Sequence, residues 1–252
     1  VTKGLDPDVA MKDSGVEWLG EVPSHWKAIP LRRVLNGIEQ GWSPECLNAP
    51  AGPDDWGVLK AGAVNNGIYR AFENKTLPDN SEARKTLEVK EDDLIMCRAS
   101  GSTDLIGSVA YVKATRSRLM LSDKLFRLVP SSLINPEYAS LVLGSFPLRQ
   151  QIELSINGAE GLANNLPQAS IKSLLITLPP LSEQQSIIEA INLQLQAFKD
   201  LQQNSERGIH LLEERRSALI SAAVTGKIDV RDWQPPNSET FSEASSGEGV
   251  TA

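Results

Sequence analysis

Leu178-Pro179-Pro180-Leu181-Ser182-Glu183-Gln184-Gln185 divides this chain into two kinds of sequence. Two successive prolines can neither donate to a sheet ladder nor continue a helix, so the element before them stops there. Ser182 and Gln185 then stand at capping-box spacing, in which each side chain satisfies an orphaned backbone N–H at the helix start. No further proline occurs before Pro235. The pattern predicts one uninterrupted helix from Ser182 to about Val224, roughly 64 Å long at ~1.5 Å per residue. Ile188, Ile191, Leu195, Phe198, Ile209, Leu212 and Leu219 fall on one heptad seam. Gln202, Ser205 and Arg216 share that seam, and Gly208 sits beside it. A lone helix with such a stripe is not stable in water, so the seam must be covered. Its imperfection suits antiparallel pairing with one particular partner helix. The alternative is that the helix folds back on its own domain, which is too small to cover all of it.

Upstream, residues 26–178 read as a mixed region. Trp56–Leu59, Leu94–Cys97, Gly107–Val112 and Lys124–Val129 are short apolar runs punctuated by Gly, Asn, Asp and Pro, as strands are. Asn135-Pro136-Glu137 predicts a helix start: Asn caps, Pro suits the first helical position and Glu complements the dipole. Leu141, Val142, Phe146, Leu148 and Ile152 are its expected buried side. Pro167-Gln168-Ala169-Ser170 opens a short helix, and Leu174–Leu178 reads as a last strand. Residues 1–25 show little periodicity and read as a junction that pins Trp18 and Trp26 to a domain surface. The expected division is therefore 1–25 linker, 26–178 α+β domain, 179–226 long protruding helix, and 227–252 a Ser-, Glu- and Gly-rich tail with too little apolar surface to fold.

Composition narrows the chemistry. The net charge is −7, but from Glu21 to Leu178 there are 17 basic and 17 acidic residues. The acidity sits on the helix and the tails, and Lys113, Arg116, Arg118, Lys124 and Arg127 cluster within the neutral part. A local basic face is what phosphate contact needs, and overall charge does not exclude one; the alternative is a solvated strand-and-turn surface. Two cysteines and two histidines are too few for a disulfide framework or a cysteine zinc site, so no metal is expected. No apolar run reaches the roughly 18 residues of a transmembrane helix. A cytoplasmic protein without membrane attachment is the expectation. No phosphate-binding or dinucleotide loop is present. Pro78-Asp79 with Glu88-Val89-Lys90 matches a degenerate pattern of metal-dependent nucleases, in which Asp79 and Glu88 would hold a cation and Lys90 would orient water. The plainer reading is a turn at Pro78-Asp79-Asn80-Ser81 and an acidic surface run at Glu88, Glu91, Asp92 and Asp93.

Cys97-Arg98-Ala99-Ser100-Gly101-Ser102-Thr103 directly follows an apolar strand. A strand end carrying one planar fork, several hydroxyls and flexible backbone suits hydrogen bonds to phosphates and base edges. Arg98, Ser100, Ser102 and Lys124 are the candidate contacts, with Asn65, Asn164 and Asn165 as weaker ones. Each, taken singly, also reads as an ordinary turn residue.

Three phrases tie these pieces to a known family. Lys12-Asp13-Ser14-Gly15-Val16-Glu17-Trp18-Leu19-Gly20-Glu21-Val22-Pro23-Ser24-His25-Trp26 resembles the lead-in to a target-recognition domain of type I restriction–modification specificity subunits. Leu178–Gln185 resembles the exit into that family's conserved helix, and Leu212–Gly226 its end. The resemblance implies a DNA target-recognition domain followed by a coiled-coil-type helix, and a chain with no catalysis of its own. It implies duplex DNA as ligand, with modification subunits that methylate adenine using S-adenosylmethionine, and a motor-nuclease restriction subunit, as partners. The opening Val1-Thr2-Lys3-Gly4-Leu5-Asp6 also echoes Val224-Thr225-Gly226-Lys227-Ile228-Asp229. That repeat, and its similarity to the family's central junction, lead to the expectation of a C-terminal half: a second recognition domain plus the distal helix. Chance similarity of a short string is the alternative for the repeat. An isolated half would leave its helix free to pair with a second copy. The competing class is a coiled-coil adaptor with no DNA role.

Overall fold

The computed structural model describes residues 2–156, 164–231 and 234. Val1, residues 157–163 and most of 227–252 lie outside the described residues, and so does the tail expectation with them. By contacts the chain divides into two units, Val1–Asn192 and Leu193–Ala252. The fold is mixed α+β.

In the first unit, β1 (Met11–Asp13) pairs antiparallel with β2 (Glu21–Pro23). β3 (Lys27–Pro30) is followed by β4 (Leu35–Gln40), β5 (Gly57–Leu59) and β6 (Asn74–Thr76). β7 (Leu94–Cys97), β8 (Val109–Tyr111), β9 (Leu119–Met120) and β10 (Leu125–Pro130) complete the central strands. Then come α1 (Pro136–Leu143), α2 (Phe146–Ser155), α3 (Gln168–Ser173), β11 (Leu175–Leu178) and α4 (Leu181–Val224). The main sheet has the antiparallel order β4-β10-β7-β8. A smaller sheet, β6-β5-β9, pairs β5 with β9 in parallel. β3 pairs with β11, so the chain's two ends of the domain meet in one ladder, Ile29 opposite Ile176.

The main sheet is buried on both faces, and this is why β7 reads as a continuous apolar run. Side chains alternate across a strand. Leu94 and Met96 therefore enter one core with Phe126, Leu128 and Val109, under α1, α2 and α3. Ile95 and Cys97 enter another with Leu125, Ala110, Leu119 and Leu121. Trp26 belongs to the first core, and so does Leu19, a residue of the 1–25 stretch read as a linker. Trp26 is wholly buried rather than laid on a surface.

The capping expectation at Asn135 holds: its Oδ1 accepts from the Glu137 N–H at 2.8 Å and the Tyr138 N–H at 3.4 Å. The single helix expected after it is two. Pro147 lacks an N–H and would clash with the preceding turn, so α1 ends at Leu143 and α2 restarts with Ser145 at its cap. The restart changes the phase, and Phe146, expected to be buried, is 73% exposed.

α4 starts at Leu181, one residue before the predicted Ser182 start, and Ser182 is helical instead of capping. The Pro180 carbonyl accepts from the Glu183 and Gln184 N–H groups, both at 3.0 Å, and Ser182 lies within the first turn. The fixing group is Gln184, which is fully buried. Its Oε1 accepts from the Asn135 N–H at 2.8 Å, and its Nε2 donates to the Pro179 and Leu133 carbonyls at 2.9 and 3.2 Å. Ile187, Ile188 and Ile191 then pack into the main core. Ile188 and Ile191, read as pairing positions, are thus spent on the helix's own domain.

The second unit contains the remainder of α4. There Leu195, Phe198, Ile209, Leu212 and Leu219 are all exposed, as are Leu193, Leu201, Leu211 and Ile220.

Candidate functional site

The C-terminal end of β7 is where the main sheet meets the loop singled out from sequence. The Arg98 N–H donates to the Lys124 carbonyl at 2.9 Å, and the Arg98 carbonyl accepts from the Leu166 N–H at 2.8 Å. Ala99 bridges antiparallel to Asn165. The Cys97 carbonyl accepts from the Gly107 N–H at 2.7 Å, closing the loop on itself. Residues 98–106 therefore leave a buried strand as a loop pinned on both sides. Ser100 Oγ accepts from the Ser102 N–H at 3.2 Å, while the Ser102 side chain is solvent-facing.

Arg98 is half-buried. Its guanidinium carbon lies 5.3 Å from the Phe126 ring centre, and Nη1 reaches the Asp123 carbonyl at 3.5 Å. Its Nε is buried with no hydrogen-bond partner. Lys124 is exposed, with Nζ 3.8 Å from Asp123 Oδ2. The structure thus brings Arg98, Ser100, Ser102, Lys124, Asn164 and Asn165 to one edge of the sheet. Asn65 lies elsewhere, at an extended kink within the 3₁₀ stretch Ala61–Gly67, which packs on β7 and β8. Its carbonyl is occupied by the Ile68 N–H and by Arg70.

The five cations of the basic cluster are engaged to different degrees. Lys113 is bound to Glu137 at 2.5 Å. Arg116 and Arg118 donate to the carbonyls of Asp55 and Asp54. Arg127 projects onto a covered face of the sheet and bonds Glu39 at 2.7 Å and Asp93 at 3.0 Å. Sequence proximity gathered these residues, but Arg127 is turned onto a covered face by strand alternation, and Lys113, Arg116 and Arg118 are tied to a carboxylate or to backbone carbonyls. Lys124 is exposed and held only loosely, 3.8 Å from Asp123.

Two lysines missed by sequence reasoning join it. Lys60 and Lys75 line, with Lys124, an open cleft of about 370 Å³. Ser43 and Asp123 form part of the wall: Ser43 Oγ and Asp123 Oδ1 lie 2.6 Å apart, and the Asp123 N–H donates to Ser43 Oγ at 3.0 Å. No local signal in the sequence links residues 43, 60, 75 and 124. β5 and the parallel β9 partner bring them together.

The nuclease pattern gains no geometry. Asp79 is exposed in a turn closed by the Ser81 N–H and the Pro78 carbonyl. Glu88 Oε1 accepts from the Arg118 N–H at 2.7 Å, and the Lys90 N–H is bound by Asp93. Among the described residues no group of three or more His, Cys, Asp or Glu side chains could hold a metal ion. Burial pushes the Cys97 thiol up to about 11, so it is no ready nucleophile. Among the described residues, no helix is long and apolar enough to cross a membrane.

The family model for the type I restriction modification DNA specificity domain matches residues 39–206, from β4 into the exposed part of α4. This chain belongs to that family. The matched span of the specificity domain contains β7, β8 and β10 of the main sheet, the loop after β7, the lysine cleft and Gln184. The chain is 36% identical over 173 residues to the EcoEI specificity subunit of Escherichia coli, covering 68% of this chain and 29% of that one. It is 25% identical to the StySPI specificity subunit of Salmonella potsdam, covering 83% of this chain and 44% of that one. It is 21% identical to the EcoKI specificity subunit of Escherichia coli K12, covering 90% and 48%. The chain thus spans less than half the length of these relatives.

Two solved structures share the fold. One is a chain from a study of assembly and conformational transition in a type I R-M system, with TM-score 0.56, 16% identity, and coverage of 87% of this chain and 48% of that one. The other is the S subunit of a type I restriction-modification system from M. genitalium, with TM-score 0.50, 13% identity, and coverage of 88% and 49%. The matches lend no support to the metal-nuclease or adaptor readings.

Proposed function

We propose that this specificity domain reads one half of a split DNA site and directs adenine methylation or restriction by partner subunits. The observation that carries the reading is the family match laid over the loop after β7. A specificity domain needs polar groups held rigidly at a surface, and this loop is fixed to Lys124 on one side and to Asn165 and Leu166 on the other. Arg98, Ser100, Ser102, Asn164 and Asn165 are the base-facing set, and Lys124 meets a phosphate. Arg98 has the bidentate fork that discriminates bases, and Lys124 offers a point charge that does not.

The chain performs no chemistry of its own in this reading. Methyl transfer from S-adenosylmethionine belongs to modification subunits and cleavage to a motor-nuclease subunit, all working on DNA in the cytoplasm. The exposed apolar residues of α4 from Leu195 onward are the docking and pairing face. A map of adenine methylation in host DNA with and without this chain tests the reading. Its removal should abolish methylation at one class of split motif, and an unchanged map would contradict it.

A further inference from the structure

We propose that the cleft between Lys60, Lys75 and Lys124 seats the phosphodiester backbone of duplex DNA, so that the neighbouring loop after β7 need only supply base contacts. This rests on the DNA-reading function proposed above and adds the positioning site to it.

The charge is local and unspent. The whole chain carries −7, yet three lysines line this one cleft and Asp123 is its one acidic lining residue. Lys75 has no ion-pair partner among the described residues. Lys60 and Lys124 have only loose ones, at 3.6 Å from Glu73 and 3.8 Å from Asp123. The cations that serve the fold are held differently, Lys113 at 2.5 Å and Arg127 at 2.7 and 3.0 Å. Asp123 is itself engaged, its Oδ1 bonded to Ser43 Oγ.

The cleft wall also holds an orphan. Ser122 is 4% exposed and lines the cleft, and its Oγ has no hydrogen-bond partner. A buried hydroxyl without a partner is uncommon, and rotation toward the cleft would let it donate to a phosphate oxygen seated there. The opposite wall is built by close backbone approach. A Cβ on Gly41 would stand 2.2 Å from the Ser122 carbonyl oxygen, so glycine alone lets the 41–46 segment lie against 121–122.

The lining selects the ligand. Three ammonium groups repel a cation. No aromatic residue lines the cleft to stack a nucleobase, so a free nucleotide would be held only by its phosphates. Lysine cannot tell one base edge from another as a planar fork can. A polymer backbone crossing the cleft satisfies all of these. Lys124 also joins the cleft to the base-facing loop, because its carbonyl binds the Arg98 N–H.

The test is equilibrium binding of the full chain to a panel of duplexes of different sequence over a salt series, followed by fluorescence anisotropy. Each phosphate contact contributes ~0.9 to the slope of log affinity against log salt. Replacing Lys60, Lys75 and Lys124 together by Ala should lower the slope by ~2–3 and weaken every duplex alike, leaving sequence preference unchanged. The corresponding triple Arg variant should keep the slope. Lys75→Gln alone disturbs no ion pair and should lower the slope by ~1, which covers the case that the triple Ala variant does not fold. Wild-type slope in folded Ala or Gln variants, while Arg98→Ala still alters sequence choice, would overturn the cleft and leave the reading function standing. Failure of the wild-type chain to bind any duplex would overturn both.

Discussion

Gln184 shows how one side chain can carry a junction. It is a buried amide that satisfies one N–H and two carbonyls from two separate segments, 133–135 and Pro179, where the domain gives way to the helix. Gln184→Ala leaves those groups unpaired, at about 1–3 kcal/mol for each that water cannot reach. The melting temperature should fall by ~5 °C or more, read by calorimetry, with Gln185→Ala unchanged as the neighbouring control. Tyr111 sets a pH limit. Its hydrogen bond to Asp92, with burial second, pushes its phenol up to about 12 from 10.0. A raised folded-state value means the native state holds its proton longer than the unfolded chain. The stabilisation is therefore complete below pH 10 and lost as pH climbs toward about 12. Chemical denaturation between those values should show a decline that Tyr111→Phe reduces. The buried Tyr138 is shifted the same way and leaves a residual slope.

At the scale of elements, α4 has two uses that one heptad pattern conceals. A period near 3.5 says only that a stripe is covered, and not by what. The structure divides it: Ile188 is 3% exposed in the domain core, and Ile209 is 58% exposed. Ile188→Ala should cost about 2–5 kcal/mol in denaturant unfolding. Ile209→Ala should leave domain stability within about 0.5 kcal/mol and act only on association. The same contrast explains what was legible elsewhere. β7, β10, the Asn135 cap and the proline stop at 179–180 declared themselves, because each rests on local chemistry. β3 and β4 did not, since Ile29 and Leu35 sit in short, weakly alternating segments made into strands by β11 and β10. The helix break was missed because apolar spacing was followed past Pro147. Of the candidate site, the loop after β7 was visible as a polar run leaving an apolar strand. The lysine cleft was not, because Lys60, Lys75 and Lys124 meet only through the β6-β5-β9 sheet and the turn after it.

For the molecule as a whole, the exposed stripe of α4 has to find a partner. Leu195, Phe198, Ile209, Leu212 and Leu219 leave a row of apolar surface on a helix that cannot hold it open in water unaided. For the isolated chain, self-pairing through a closed two-fold interface is the expected solution. Light scattering over a concentration series should show a dimer that Leu195→Glu or Ile209→Glu dissociates. A monomer at all concentrations, indifferent to both substitutions, would leave the stripe to modification subunits alone. Neither outcome bears on the central claim, that the loop after β7 reads DNA sequence. Selection from a library of random duplexes, bound by the full chain and sequenced after successive rounds, tests that claim most directly. The account predicts that one short half-site pattern is enriched by the wild-type chain and broadened by Arg98→Ala. Recovery of duplexes with no shared sequence, or a pattern that Arg98→Ala leaves intact, would contradict it.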